Sequence, residues 1–366
     1  MKWSIRIARV RGIGIYVHLT FFLVLVWVGW MEWQRSGSMA QVGGGVLFTL
    51  LTFFIIVLHE LGHAISAGWF GIRTKDITLL PIGGLARLER MPEKPWQEIV
   101  VALAGPAVNV ILALAIGGAI LLAGRRPDLF GSDPMTGSLP ARLFWLNVIL
   151  TAFNLIPAFP MDGGRVLRAS LAAVTDHATG TRWAALVGRG IAALFVVAGL
   201  TWNPGLALIG IFVWFGAGAE ARAAELKSSL AGLLAGHALQ TDIRILDGRE
   251  TVGQAALRTL ASPQFEYPVM VEGRLVGIAT ATALTEALAQ SGPATPVLNA
   301  TRTDAVVAGL DTPLEQMVGL IQGSGLRSGL VTDQAGKLLG AVTLDSISSA
   351  IQLRAAWADA GSAGRS

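Results

Sequence analysis

Long runs of apolar residues constrain this chain more than any other feature. Six runs are each long enough to cross a bilayer, for which a helix needs about 20 residues. They lie at about residues 13–31, 46–70, 99–123, 143–161, 183–201 and 204–219. The 366-residue chain is 53% hydrophobic and only 14% charged, which is too apolar for an ordinary soluble enzyme. We therefore expect a polytopic α-helical membrane protein with about six transmembrane helices.

Basic residues are distributed unevenly among the loops that join these runs. They concentrate before the first run, between the second and third, and after the fourth and the sixth. Because cytoplasmic loops are enriched in Lys and Arg, we expect a multi-pass protein of the cell membrane with both termini in the cytoplasm. The net charge of +4 comes from scattered residues, so the sequence gives no support for nucleic-acid binding.

The segment 76–88, between the second and third runs, has strand-forming residues on both sides of a Pro/Gly turn. This pattern predicts a β-hairpin or a re-entrant loop. Irregular backbone at membrane depth has to be covered by protein or water, so a re-entrant hairpin would line a cavity. The alternative is an ordinary cytoplasmic connector.

From about residue 228 the chain loses its long apolar runs and repeats itself at a spacing of about 61 to 63 residues. Residues 250–257, for example, correspond to residues 311–318. Each unit has the pattern helix, strand, strand, helix. The two repeats, at about 237–292 and 296–352, resemble a tandem pair of CBS domains.

The sequence His59-Glu60-Leu61-Gly62-His63 is a His-Glu-x-x-His motif within the second apolar run. On a helix, the i, i+4 spacing places both imidazoles on one face, where they can bind one Zn²⁺ ion. Glu60 then lies beside the metal without being a ligand. Polar groups within an apolar span are unfavourable and usually functional. The alternative is a histidine pair satisfied by hydrogen bonds between helices.

A catalytic zinc ion needs three protein ligands and an open position. The chain has no cysteine, and its other histidines are distant in sequence: His18, His177 and His237. A carboxylate is therefore the favoured third ligand. Asp162 is the best placed, because it follows prolines that interrupt the fourth apolar run. Its alternative role is the N-cap of a helix that starts at Gly163.

These motifs resemble the site-2 proteases, intramembrane zinc metalloproteases of peptidase family M50. The resemblance rests on the His-Glu-x-x-His motif, on Ala-Gly-Pro-Ala-Val-Asn at 104–109, and on Asn-x-x-Pro-x-x-Pro-x-Asp-Gly at 154–163. With the CBS pair, it points to the prokaryotic branch of the family. It implies a transmembrane zinc protease domain over 1–227 and a cytosolic α+β tandem CBS module with a short tail over 228–366.

The resemblance also implies a three-helix catalytic core that cleaves transmembrane or signal-peptide-like substrates in regulated proteolysis. It assigns His59, His63 and Asp162 as zinc ligands and Glu60 as the base. The hairpin at 81–84 would present an edge to an extended substrate.

A developing oxyanion needs hydrogen-bond donors besides the metal. Asn154, which the resemblance places next to the reacting carbonyl, and Asn109 are the candidates. The alternative for Asn109 is helix packing.

In CBS domains, the turn from strand to helix places a Thr and, two residues later, an Asp that binds ribose. The second repeat has Thr343 and Asp345, whereas the first has Thr280 and Thr282. The resemblance therefore implies one adenine-nucleotide site, and it allows a homodimer formed through the CBS domains. The alternative for Asp345 is a cap for a helix that begins at Ser346.

A different class of function also fits the domain order. CBS pairs occur on transporters, so the chain could be a membrane transporter or channel gated by its CBS domains. A transporter, however, has no need of a non-ligating glutamate next to two histidines with metal-binding spacing.

Overall fold

The computed structural model describes residues 3–81, 83–90, 92, 94–124, 137–259 and 264–363, of which 358–363 are described by their backbone alone. The chain divides into two compact units, Met1–Ala224 and Glu225–Ser366.

The first unit is mainly helical. Its described helices are α1 (Thr20–Ser36), α2 (Met39–Trp69), α3 (Pro95–Leu122), α4 (Leu139–Asn154), α5 (Asp162–Ala172), α6 (His177–Thr201) and α7 (Pro204–Leu230). Helix α3 packs against α2, α4 and α5, and α2 also contacts α4. The fourth apolar run is thus helical only to Asn154, and residues 155–161 form a turn that leads into α5.

The expected number of six spans is not confirmed. Within the described residues, four helices are long and apolar enough to cross a membrane, namely α2, α3, α6 and α7. Helices α1 and α4 are shorter, with 17 and 16 residues. These lengths and compositions agree with a multi-pass membrane protein.

The expected start of the first span, near residue 13, is wrong because Ile13–His18 forms a β-strand. Ile13, Ile15 and Val17 point to one buried face, which is the period-2 pattern of a strand. The turn before them has positive φ angles at Arg11 and Gly12 and returns the chain on the preceding strand. Helix α1 begins only at Thr20.

The hairpin predicted at 76–88 is confirmed and belongs to a larger sheet. The sheet contains β1 (Ser4–Val10), β2 (Ile13–His18), β3 (Thr74–Leu80) and β4 (Gly83–Leu88), in that order. Strands β2 and β3 are parallel, and the other two pairs are antiparallel. Strand β4 therefore lies at one edge of the sheet and β1 at the other.

The two faces of this sheet differ in polarity. One face packs its aliphatic residues against α2, where Phe53, Val57 and Leu61 are buried. The other face carries Asp76, whose carboxylate accepts hydrogen bonds from the guanidinium of Arg87 on β4. These hydrogen bonds lower the pKa of Asp76 below its usual range. The ion pair joins the two strands of the hairpin.

The second unit contains both repeats. The first repeat has β5 (Leu246–Asp247), α8 (Val252–Thr259), β6 (Glu266–Val271), β7 (Arg274–Thr280) and α9 (Ala281–Ser291). After β8 (Thr301–Arg302), the second has β9 (Val307–Gly309), α10 (Leu314–Ser324), β10 (Ser328–Thr332), β11 (Leu338–Thr343) and α11 (Leu344–Ala363). The predicted order of helix, strand, strand and helix is thus present in each repeat.

Each sheet of this unit is extended by the first residues of the other repeat. Strand β8, near the start of the second repeat, pairs with β7 of the first. Gln240, near the start of the first repeat, pairs with Ala341 on β11 of the second. The two repeats are therefore joined by reciprocal backbone hydrogen bonds.

A buried carboxylate also joins the repeats. Glu266, at the start of β6, accepts hydrogen bonds from the backbone N–H groups of Arg327 and Ser328, both at 2.8 Å. It also accepts one from the Ser328 hydroxyl at 2.6 Å. Glu266 begins β6 of the first repeat, and Ser328 begins β10, the equivalent strand of the second. The contact therefore joins equivalent positions of the two repeats.

We predict that Glu266→Ala destabilises the second unit, because it leaves the backbone N–H groups of Arg327 and of buried Ser328 without their acceptor. An unsatisfied buried donor costs about 1–3 kcal/mol. Hydrogen exchange of the full-length protein in detergent should show faster exchange in peptides that contain β6 and β10.

The exposed residue Glu286 on α9 provides the control. Glu286→Ala should leave the exchange of both peptides unchanged. Equal protection in the Glu266→Ala and wild-type proteins would contradict the assigned contact.

Candidate metal centre

Two histidines of α2 are buried side by side. The i, i+4 spacing predicted from the sequence places His59 and His63 on one face of the helix, with their Nε2 atoms 3.1 Å apart. Glu60 lies between them in sequence and remains partly exposed. The imidazole nitrogens are thus directed to one point, and the glutamate lies next to it.

Asp162 reaches the same point from a different element. Its Oδ2 lies 3.2 Å from the Nε2 atom of His59 and 3.2 Å from that of His63. One ligand atom from each of the three residues lies within 4.8 Å of the others. The structure therefore brings together the three residues predicted to bind a metal.

The turn before α5 explains how Asp162 is placed. The chain reverses at 155–161, which includes a cis peptide bond before Pro160, and α5 begins at Asp162. A Cβ atom on Gly163 would overlap the carbonyl oxygens of Leu155 and Ile156, so only glycine fits beneath the turn. Asp162 is the first residue of the helix and Met161 occupies the N-cap position, so the alternative role as N-cap is not observed.

A hydrogen bond from His63 fixes the orientation of its ring. Its Nδ1 lies 2.7 Å from the carbonyl oxygen of Val101 on α3. A carbonyl oxygen only accepts, so Nδ1 carries the proton and Nε2 presents a lone pair to the centre. This is the arrangement that metal-binding histidines commonly have.

The geometry at Asp162 fits a cation better than a hydrogen-bonded cluster. Although its Oδ2 is close to both imidazoles, this buried oxygen makes no hydrogen bond of acceptable geometry to any described residue. Two imidazole nitrogens and one carboxylate oxygen are a known ligand set for catalytic zinc. The three residues therefore fit a zinc ion.

Helix α3 leaves room for this centre at Gly105. A Cβ atom on Gly105 would lie 2.7 Å from Nε2 of His59 and even closer to Nε2 of His63. Any side chain here would occupy the space of the ligand atoms. Gly105 belongs to the Ala-Gly-Pro motif noted in the sequence. The motif alone did not indicate that this glycine lies next to the metal ligands.

Helix α3 also holds the helix that carries Asp162. The buried guanidinium of Arg168 on α5 donates to Glu98 on α3, with Nε and Nη2 at 2.8 Å and 2.5 Å from Oε1. Arg168 also donates to Glu220 on α7. Sequence reasoning missed this triad, since nothing in the local sequence pairs residues so far apart.

The hairpin lies against Glu60. A Cβ atom on Gly84 of β4 would be 2.8 Å from Cγ of Glu60 and 3.0 Å from a methyl group of Ile56. The edge strand of the sheet therefore lies next to the candidate base.

The two asparagine candidates have different surroundings. The Asn154 amide, at the end of α4, donates to the carbonyl oxygen of Leu150 at 2.9 Å. Asn109 is completely buried on α3, and neither its amide nitrogen nor its amide oxygen has a hydrogen-bond partner among the described residues. Their roles as oxyanion donors therefore stay predictions.

In the second unit, Thr343 and Ser346 cap α11 reciprocally. The backbone N–H of Ser346 donates to Oγ1 of Thr343, and that of Thr343 donates to Oγ of Ser346. Asp345 lies in the first turn of the helix and is exposed. The cap is thus provided by other residues, and a nucleotide role for Thr343 and Asp345 stays a prediction.

Comparison with known proteins finds similarity over most of the chain. The model of peptidase family M50 matches residues 47–130 and 135–198, and the CBS domain model matches residues 297–353. A zinc metalloprotease of Methanocaldococcus jannaschii is 35% identical over 279 residues, which are 76% of this chain and 78% of that protein.

Two further proteins are similar to part of this chain. A solved site-2 protease from Methanocaldococcus jannaschii is 36% identical, with a TM-score of 0.44, over 60% of this chain and 96% of that one. Stage IV sporulation protein FB of Bacillus subtilis is 31% identical over 131 residues, or 36% of this chain and 42% of that protein.

We predict that Gly105→Ala prevents normal metal binding, because the added methyl group would occupy the space between the two imidazoles. The zinc content of the purified protein, measured by elemental mass spectrometry, should fall well below one ion per chain. Competition with a chelator should show at least a tenfold loss of affinity, which corresponds to about 1.4 kcal/mol.

Gly118 on the same helix is the matched control, since a Cβ atom there would meet no other atom within 4 Å. Gly118→Ala should bind zinc as the wild type does. Full zinc content in the Gly105→Ala protein would mean that α3 does not closely border the metal.

Proposed function

Since the chain belongs to peptidase family M50, the site-2 proteases, and carries a CBS domain near its C-terminus, we propose that it is an intramembrane zinc endopeptidase. Its substrates would be transmembrane or signal-peptide-like segments that are cut in regulated proteolysis. The observation that carries the proposal is the convergence of His59, His63 and Asp162 beside a glutamate that is not a ligand.

The residues around the centre have different chemical roles. A zinc ion held by His59, His63 and Asp162 would polarise the scissile carbonyl and lower the pKa of a water molecule. Glu60 accepts the proton of the attacking water and then delivers it to the leaving amine. Its partial exposure and its place on the helical turn between the two histidines support this role.

Strand β4 supplies a place for the substrate. The carbonyl groups of a transmembrane helix are occupied by internal hydrogen bonds, so the substrate has to unwind before it can be attacked. Among the strands that the structure describes, β4 pairs only with β3, which leaves its other edge to bind an extended segment. Because Gly84 lies against Glu60, a segment bound at that edge would be close to the base.

Asn154 and Asn109 are the proposed donors to the oxyanion. Asn154 would have to turn from the carbonyl oxygen of Leu150 to reach a substrate. Asn109 has no hydrogen-bond partner among the described residues, so its amide is available without the loss of a hydrogen bond found there. Donors of this kind contribute about 2.7–4 kcal/mol to transition-state binding in other proteases.

We propose a location in the cell membrane with both termini in the cytoplasm. The lipid-facing surface would include the exposed apolar residues of α2, α3, α6 and α7, such as Phe54, Leu114, Leu194 and Leu208. The alternative, a CBS-gated transporter or channel, does not account for Glu60 beside the three ligands.

We predict that Glu60→Gln abolishes proteolysis while zinc stays bound, because the change removes the base and leaves the ligands intact. Loss of general-base catalysis should lower the turnover number by about 10²- to 10⁴-fold. Cleavage of single-span membrane proteins by the purified enzyme in detergent, together with zinc analysis, tests this. Asp162→Ala should lose both zinc and activity.

Glu32→Gln is the control, since Glu32 is an acid on a different apolar helix, α1. It should leave cleavage and zinc content unchanged. A Glu60→Gln enzyme that cleaves at the wild-type rate would refute the mechanism, and full zinc retention in Asp162→Ala would assign the third ligand elsewhere.

We also propose that the second unit binds an adenine nucleotide through Thr343 and Asp345. The exposed position of Asp345, next to a cap made by other residues, leaves its carboxylate available for a ribose. A homodimer formed through the CBS domains is part of the same proposal. Nucleotide can regulate cleavage only if its affinity differs between two states of the enzyme.

We predict that ATP raises the thermal stability of the second unit in the full-length protein. A ligand that binds only the folded state stabilises it by about 2.7 kcal/mol at a hundredfold excess over its dissociation constant. In a thermal unfolding measurement, Asp345→Ala should remove the rise in unfolding temperature that ATP causes. Thr282→Ala, at the corresponding position of the first repeat, should keep it. A shift that survives Asp345→Ala would exclude this site.

A further inference from the structure

Strand β1 exposes three large apolar side chains at the N-terminal edge of the first unit's sheet. Trp3, just before the strand, is 65% exposed, Ile5 52% and Ile7 58%. Such exposure is unfavourable in water, and the three apolar residues lie within five positions, with a β-bulge between Arg6 and Ala8. The proteolytic mechanism does not use this segment.

The pairing of β1 with β2 shows that the strand is amphipathic. Directly paired residues of antiparallel strands share a face. Ile5 pairs with Val17, which belongs to the core packed against α2. Ile5 therefore continues the apolar face of the sheet.

The opposite face of the same strand is basic. Arg6 pairs with Tyr16 and Arg9 pairs with Gly14, and both arginines are exposed. Arg11 follows in the exposed turn between β1 and β2. Three guanidinium groups thus lie between positions 6 and 11, two in the edge strand and one in the turn that follows it.

The apolar patch continues into α1. Leu19, Phe22 and Leu23, in the first turn of the helix and just before it, are also exposed. The backbone N–H of Leu19 donates to the carbonyl oxygen of Trp3 at 2.9 Å, which joins the start of β1 to the start of α1.

We propose that β1 is a lipid-binding strand that lies along the membrane surface. Trp3, Ile5 and Ile7 enter the boundary between headgroups and acyl chains, and Arg6, Arg9 and Arg11 bind the phosphates of anionic lipids. Tryptophan is enriched at this boundary, and each basic residue near an anionic surface strengthens association by about fivefold. The membrane surface then anchors the β1 edge of the sheet. The opposite edge, strand β4, lies beside Glu60.

The absence of cysteine from the sequence makes a direct test simple. Ile5→Cys and Ile7→Cys, each made in the full-length protein, carry a nitroxide label in nanodiscs of phosphatidylcholine and phosphatidylglycerol. Both labels should collide several-fold more with oxygen, and several-fold less with a water-soluble nickel chelate, than a label on the control Leu257→Cys. Leu257 is a similarly apolar residue of the second unit and is 74% exposed.

A second arm tests the role of charge. The Ile5 label should lie deeper in nanodiscs with phosphatidylglycerol than in phosphatidylcholine alone. Replacement of Arg6, Arg9 and Arg11 by Gln should abolish that difference, and adding inorganic phosphate in place of the anionic lipid should not reproduce it.

Three results would overturn the proposal. The first is nickel accessibility at Ile5 equal to that at Leu257. The second is a depth that does not depend on the anionic lipid in the wild-type chain. The third is dipolar coupling between Ile5 labels on different chains, which would make β1 an interface between copies of the protein.

Discussion

The metal centre depends on the close approach of α3 to α2. Gly105 is the point of that approach, because a side chain there would occupy the space of the imidazole nitrogens. One turn earlier, the carbonyl oxygen of Val101 accepts the hydrogen bond that orients His63. Gly62 on α2 helps in the same way, since a Cβ atom there would lie 2.7 Å from the Ala104 carbonyl oxygen. Small residues thus set a helix spacing that larger ones would prevent.

None of the three ligand side chains is on α3, yet this helix contacts the elements that carry all of them. Glu98, Val101 and Gly105 follow the i, i+3, i+7 spacing of a single helix face. Glu98 binds Arg168 on the helix of Asp162, and the other two border the histidines of α2. One face of α3 therefore determines the position of Asp162 relative to His59 and His63.

The sequence predicted the ligand residues better than it predicted their surroundings. The histidine spacing and the acid after an interrupted span are local patterns, so His59, His63 and Asp162 could be named without a fold. The Val101 contact uses a backbone carbonyl, which every residue possesses, and therefore leaves no trace in the sequence. Strand β2 was misread because its alternation at Ile13, Ile15 and Val17 lies within a longer apolar run, in which hydropathy alone does not separate strand from helix. The hairpin was predicted because Pro81 and Gly83 mark its turn.

The triad of buried Arg168 and Glu98 with the partly exposed Glu220 is better explained by geometry than by stability. Replacing a buried ion pair with apolar residues is often neutral or stabilising, whereas removing one partner leaves an uncompensated charge and is strongly unfavourable. Any movement of α5 that separates Arg168 from Glu98 would therefore leave a buried charge without its partner. Such a movement is unfavourable even where the apolar contacts of the helix could adapt. Asp162 is the first residue of that helix, so the same penalty holds its carboxylate beside the two imidazoles. The guanidinium also lies 5.2 Å from the ring of Phe159, in the turn that precedes Asp162. Arg168 thus contacts α3, α7 and the turn that precedes Asp162. These contacts restrict Asp162 both through the helix that it begins and through the turn before it.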